Sequence, residues 1–232
     1  MKRFLVATLL AQLTASSTSR IQNRTLTVAD VGTITYGISI PSDAGTSEPR
    51  PLVLALHPAG DRIAYYGSAF MRQIVLPALG HLRPIVVAPD CPARSWTDPR
   101  ADRAVMELLR KVQDEYAIDR HRVLVTGFSM GGRGTWFMTS RHPDLFTAAI
   151  PIAASPGDEP LDQLALVPTY IIHSRDDQVV AFGPVERNAR ELEKRGRVVR
   201  FEELRGVGHF EMGSYVDALS RAGRWVAERW DR

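Results

Sequence analysis

From Leu52 onward the chain repeats one pattern, a short apolar run followed by a stretch with helical period. "LVLALH" (Leu52 to His57) precedes a helical candidate from Ala69 to Leu79, and "IVVAPD" (Ile85 to Asp90) precedes one from Asp98 to Tyr116. "RVLVTGF" (Arg122 to Phe128) precedes Gly132 to Arg141, and "TAAIPIAA" (Thr147 to Ala154) runs into a loop. "TYIIHS" (Thr169 to Ser174) precedes Gly183 to Lys194, and "RVVRFEEL" (Arg197 to Leu204) precedes Glu211 to Trp230. Runs that are apolar at consecutive positions have no face to offer water, so they must be buried on both sides. Alternation with helices then implies a mostly parallel central sheet with helices on both faces, an α/β fold. Upstream, "RTLTVADVGTITYGISI" (Arg24 to Ile40) alternates in the manner of an antiparallel pair. Asp98 is suited to cap the helix that follows, with Pro99 at its first position.

Size and charge restrict the function. The chain has 232 residues, 44% of them hydrophobic, which suits a single domain over residues 20–232 with a full core. Residues 1–19 differ in kind. Lys2 and Arg3 precede an apolar run from Phe4 to Leu13 and then small residues, the order of a secretory signal peptide. The run is too short to span a bilayer as a helix, so secretion or export to the periplasm is expected, without stable membrane insertion. Removal of Lys2 and Arg3 with that segment leaves 27 basic residues against 26 acidic. The densest basic stretch, Glu186 to Arg200, mixes both signs at helical spacing and reads as a solvated helix face, so no nucleic-acid partner is expected. Cys91 is the only cysteine, which excludes an intrachain disulfide and a cysteine zinc site. No sequence feature sets an oligomeric state.

In such sheets, sites form at the carboxyl ends of the strands. Ser129, in "GFSMGG", lies between a strand and a helix, as a nucleophile elbow requires. A Gly-x-Ser-x-Gly match alone arises by chance in very roughly one chain in ten of this length. The strand before it and the helix after it carry the argument. Glycines two residues either side would let the backbone pass close to the strained turn. The Met130 amide would point with the helix N-terminus at an incoming carbonyl oxygen. A serine hydroxyl needs a base. Of the six histidines, His209 in "GVGHFEM" comes late in the chain after the last apolar strand, where the order Ser, acid, His places it. The acid should follow "TYIIHS", where Asp176 and Asp177 both stand. A second oxyanion amide is expected from the loop after an early strand. In "LALHPAGD" the candidate is Ala59, because Pro58 has no N–H. His57 reads as a loop brace.

These segments, with "RHPDLFTAAIPI", "VAPDCPARSWTDP" and "GVGH", resemble the α/β-hydrolases. The closest likeness is to the small secreted carboxylesterases grouped as predicted peptidases or esterase/depolymerase-like proteins. The likeness runs from about Pro51 to the C-terminus. The family's acid-strand motif, His-Gly-x-x-Asp-x-x-Val, aligns with His173 to Val180 and so implies Asp177 as the acid. The resemblance also places Trp96 on a loop near the acyl or alcohol pocket, as a candidate substrate contact, while by itself that tryptophan reads equally well as core. Phe210 beside His209 is a further candidate substrate contact. The chain departs from the family in having His57-Pro58 where His-Gly is usual, and Arg133 where tyrosine is frequent.

The expected function is therefore a serine carboxylesterase working through an acyl-enzyme, with no cofactor and no metal. Its substrate would be a small or polymeric ester. The rival readings are a serine peptidase, a polysaccharide or feruloyl esterase, a polyester depolymerase, and a catalytically silent binding module. "ASPGDEPLDQLALVP", the fifteen residues between two strands where lipases insert a cap, holds three prolines and one glycine. It has room for one short helix, so no large cap domain is expected over the serine.

Overall fold

The computed structural model describes residues 20–42, 48–61 and 63–231. Residues 1–19, expected from the sequence to be a signal peptide, lie outside the described residues. An eight-stranded sheet runs in the order β1-β2-β4-β3-β5-β6-β7-β8. The strands are β1 (Arg20–Val28), β2 (Gly32–Ile40), β3 (Arg50–Leu56), β4 (Ile85–Pro89), β5 (Ile118–Phe128), β6 (Ala148–Ile152), β7 (Thr169–Ser174) and β8 (Val199–Leu204). The early alternating segment is the antiparallel pair β1–β2, and β2 meets β4 antiparallel. From β4 to β8 every pairing is parallel.

The apolar runs serve two faces at once because successive side chains of a strand point to opposite sides. Val53 and Ala55 of β3 and Val86 and Ala88 of β4 enter one core. Leu52, Leu54, Leu56, Ile85 and Val87 enter the other. The first core is closed by α1 (Tyr66–Phe70), α2 (Leu76–Leu79) and α6 (Val216–Trp230). The second lies under α3 (Pro99–Glu115) and α4 (Met130–Arg141). The outer side of β7 is covered by α5 (Phe182–Lys194), which packs with Ile171 and Trp136.

Most expected elements appear within a few residues of their predicted bounds. Asp98 caps α3 by accepting a hydrogen bond from the Arg100 amide at 2.8 Å, with Pro99 leading the helix. The helix expected from Ala69 starts earlier and is broken by a π-helical turn, Met71–Val75, between α1 and α2. Pro77 accounts for this turn. It cannot donate to the Gln73 carbonyl, and its ring crowds that oxygen. The last helix is preceded by a 3₁₀ turn, Met212–Tyr215. Between β6 and β7 the only helical piece is a 3₁₀ turn, Leu161–Gln163, so no cap domain is inserted there.

The strand order decides where a site can form. After β3 the chain crosses to β4 on one side, then returns past β3 to lay β5 on the other. The order therefore reverses at β3/β5, where Leu56 pairs with Gly127. A crevice opens beyond the carboxyl ends of strands at such a reversal. The segments leaving there are His57-Pro58-Ala59 and Phe128-Ser129-Met130.

Candidate active site

The backbone of Ser129 sits at φ 52° and ψ −113°, outside the regions that suit an L-residue. A residue stays in such a conformation only when its surroundings over-determine it. Here the Ser129 amide donates to Ile152 O at 2.9 Å, and Ser129 O accepts the Arg133 amide at 2.9 Å as α4 begins. The flanking glycines are needed for space. A Cβ on Gly127 would stand 2.3 Å from Gly131 O, and one on Gly131 would stand 1.9 Å from Leu56 O. The start of α4 therefore rests directly on the end of β3, which draws Met130 toward the loop carrying Ala59.

His209 and Asp177 meet Ser129 in one hydrogen-bonded line. Ser129 Oγ lies 2.9 Å from His209 Nε2, and His209 Nδ1 lies 2.7 Å from Asp177 Oδ2. The carboxylate can only accept, so Nδ1 carries the proton and Nε2 is free to accept from the serine. The other Asp177 oxygen, Oδ1, accepts from the Val179 and Val180 amides at 2.8 and 2.7 Å. Asp176 is elsewhere. It is exposed and its Oδ2 accepts the Gly206 amide at 2.6 Å. The structure therefore places Asp177, and not its neighbour, against the histidine.

Ala59 and Met130 line the same cavity, about 580 Å³, whose walls include His57, Tyr66, Asp61 and Arg94. Among the described residues no acceptor partners the amide of either Ala59 or Met130. A second cavity of about 370 Å³ lies on the histidine side, lined by Gln73, Ile74, Phe210 and Met212. Phe210 is 77% exposed and edge-on to the His209 ring, with centroids 5.5 Å apart. Among the described residues no three His, Cys, Asp or Glu side chains are grouped to hold a metal ion.

The expectation for Trp96 is corrected. Its side chain is fully buried, donates from Nε1 to His57 O at 2.9 Å, and would be struck by a Cβ on Gly134. A substrate cannot touch it; an indole of that size, once buried, is packed from every side. Two residues that frame the site carried no sequence signal. Gln178 accepts the His209 amide at 3.1 Å through Oε1. Asp90, at the end of β4, accepts from Thr35 Oγ1 and from the Tyr65 and Gly67 amides, which ties α1 to the rim of the larger cavity.

Two histidines outside the hydrogen-bonded line are buried. Burial pushes the His57 and His173 imidazoles below the usual histidine range, against smaller opposing effects of hydrogen bonds to Pro58 and Val180. The unfolded chain therefore takes up more protons than the folded one as pH falls below about 6.5. Stability contributed by keeping these rings neutral is full above that pH. It is lost as pH falls toward the folded values, by no more than about 1.4 kcal/mol per pH unit for each ring. Thermal unfolding followed from pH 7.5 to 5 should show a falling midpoint, shallower in His173→Asn than in the wild type. A midpoint that is flat or rises on acidification would contradict this.

A serine on a strained strand-to-helix turn, at the reversal of a mostly parallel sheet and in line with a histidine and an aspartate, defines an α/β-hydrolase. The chain belongs to the dienelactone hydrolase family, whose model matches residues 93–215. No curated protein sequence matches it. Among solved structures it is similar to a thermostable esterase, with 30% identity and a TM-score of 0.76 over 90% of this chain. The chain spans 62% of that esterase's length. An S-formylglutathione hydrolase from Staphylococcus aureus matches 89% of this chain and 98% of its own, at 17% identity and TM-score 0.72. A ferulic acid esterase matches 90% and 98%, at 17% identity and TM-score 0.73.

Proposed function

We propose that this protein is a serine carboxylesterase, with Ser129 as nucleophile, His209 as general base and Asp177 as the group that orients the imidazole. The observation that carries the reading is the unbroken line Asp177–His209–Ser129, next in the chain to Met130, which lines a cavity together with Ala59. Ser129 Oγ attacks the acyl carbon and its proton passes to His209 Nε2. The carbonyl oxygen becomes an oxyanion held by the two amides, each of which contributes on the order of 10²–10³ in rate. Collapse expels the alcohol with the proton from His209. Water then attacks the acyl-enzyme by the same route, His209 again taking and returning the proton, and the acid leaves.

The alcohol leaves past His209, so Phe210 and the smaller cavity are its natural contacts. The acyl group faces the larger cavity, whose wall carries Asp61, Tyr66 and Arg94. Such a wall favours short or polar acyl groups over long alkyl chains. The esterase neighbours support ester chemistry, and the composition of residues 1–19 supports export. Residues 20–232 then form the one catalytic domain. A p-nitrophenyl ester series tests the substrate reading. Acetate and butyrate esters should be hydrolysed as monomers, with kcat/KM falling as the acyl chain lengthens and no rise at the micelle threshold. A preference for long-chain emulsions would refute it.

A further inference from the structure

We infer that His57 is a positioning residue that aims the Ala59 amide at the oxyanion, in a loop where proline has replaced the residue before that amide. The inference rests on the proposal that Ala59 is an oxyanion donor. Pro58 fixes its own φ but leaves ψ free, so the Pro58–Ala59 peptide can turn about that bond. No cis peptide occurs in the described chain. In a planar trans peptide the C=O and N–H point in opposite directions. Whatever holds the Pro58 carbonyl therefore also sets where the Ala59 N–H points.

The His57 ring holds that carbonyl. Nδ1 lies 2.6 Å from Pro58 O. The Cys91 amide donates to Nε2 at 3.0 Å, so on the neutral ring the proton must be on Nδ1, which donates to the carbonyl. The ring itself is fixed between Tyr66 and Trp96, with centroids 4.7 and 5.1 Å away. Trp96 in turn binds His57 O at 2.9 Å. Two successive peptide planes are thus clamped, the first by an indole and the second by an imidazole. His57 never touches the reacting atoms. It acts through the amide of Ala59, a residue that lines the cavity with Met130.

The test uses side chains of matched shape. In His57→Asn the amide nitrogen takes the place of Nδ1 and can still donate to Pro58 O. His57→Leu has the same branching and no donor. His57→Gln places its amide out at the Nε2 position, toward Cys91. The readouts are kcat/KM on p-nitrophenyl butyrate and Ki for an alkyl trifluoromethyl ketone, whose serine adduct carries an oxyanion. Butyrate Ki serves as a control for ground-state binding. His57→Leu and His57→Gln should lose about 10- to 100-fold in kcat/KM, somewhat less than deletion of an oxyanion donor. Ketone Ki should rise by the same factor while butyrate Ki stays within twofold. His57→Asn should lose no more than about fivefold, because the hydrogen bond is kept. If His57→Leu does not fold, His57→Gln carries the comparison.

Replacing Ala59 by lactate, which turns that one amide into an ester, separates the two levels of the argument. It should raise ketone Ki on its own, and adding His57→Gln should raise it little further, since both act through one N–H. An unchanged Ki in the ester protein overturns the assignment of Ala59. A raised Ki there, with His57→Leu or His57→Gln still binding the ketone within threefold of wild type, overturns the role of His57. Equal losses in His57→Asn and His57→Leu overturn it as well, since shape and not the hydrogen bond would then decide.

Discussion

Ser129→Ala should lower kcat on p-nitrophenyl butyrate by about 10⁴ to 10⁶, with KM and the unfolding midpoint close to wild type. The loss is large because, on the proposed mechanism, the hydroxyl oxygen is the atom that forms the covalent bond to the acyl carbon. The residual rate would come from the proposed oxyanion donors, the Met130 and Ala59 amides, acting when water attacks. Stability should change little because alanine keeps the Cβ. The strain at φ 52° belongs to the backbone of any L-residue there, so the variant neither adds nor relieves it. Labelling by a fluorophosphonate should disappear together with turnover. A variant that keeps activity within tenfold of wild type would mean that Ser129 is not the nucleophile.

Asp177→Asn should cost about 10³ to 10⁴ in kcat, and Asp176→Asn no more than a few-fold. The reason lies in the second carboxylate oxygen. Asp177 Oδ1 accepts two amides, those of Val179 and Val180. An asparagine must turn its own oxygen toward those donors, which leaves its NH₂ facing His209 Nδ1. The histidine can then meet it only as an acceptor at Nδ1, which puts the ring proton on Nε2. In that tautomer it cannot take the proton of Ser129. Asp176 holds one exposed amide, that of Gly206, and asparagine can accept the same hydrogen bond. Measuring both variants side by side checks the assignment, and a severe loss at Asp176 with a mild one at Asp177 would reverse it.

The sequence alone determined a mostly parallel sheet and the alternation of its strands with helices along the chain. Doubly buried strands need apolar side chains at consecutive positions, and that requirement is written locally in segments such as Leu52–His57 and Thr169–Ser174. The elbow was legible for the same reason. Close approach of α4 to β3 leaves no room for a Cβ at Gly127 or Gly131, so the need is recorded as glycine. Between Asp176 and Asp177 the residues by themselves did not choose, and only a family resemblance pointed to the second.

Tertiary structure decided what depends on which side of a turn a side chain faces. Asp177 is turned inward to His209 by the amides of the two valines after it, while its neighbour faces solvent. Trp96, a tryptophan on a loop, could have been a pocket wall. Packing against Gly134 and its hydrogen bond to His57 O made it a buried strut. Gln178 and Asp90 support the site through backbone amides that lie 31 and 23 to 25 residues away. Partners so distant leave no periodic trace in a sequence, because folding alone brings their atoms together.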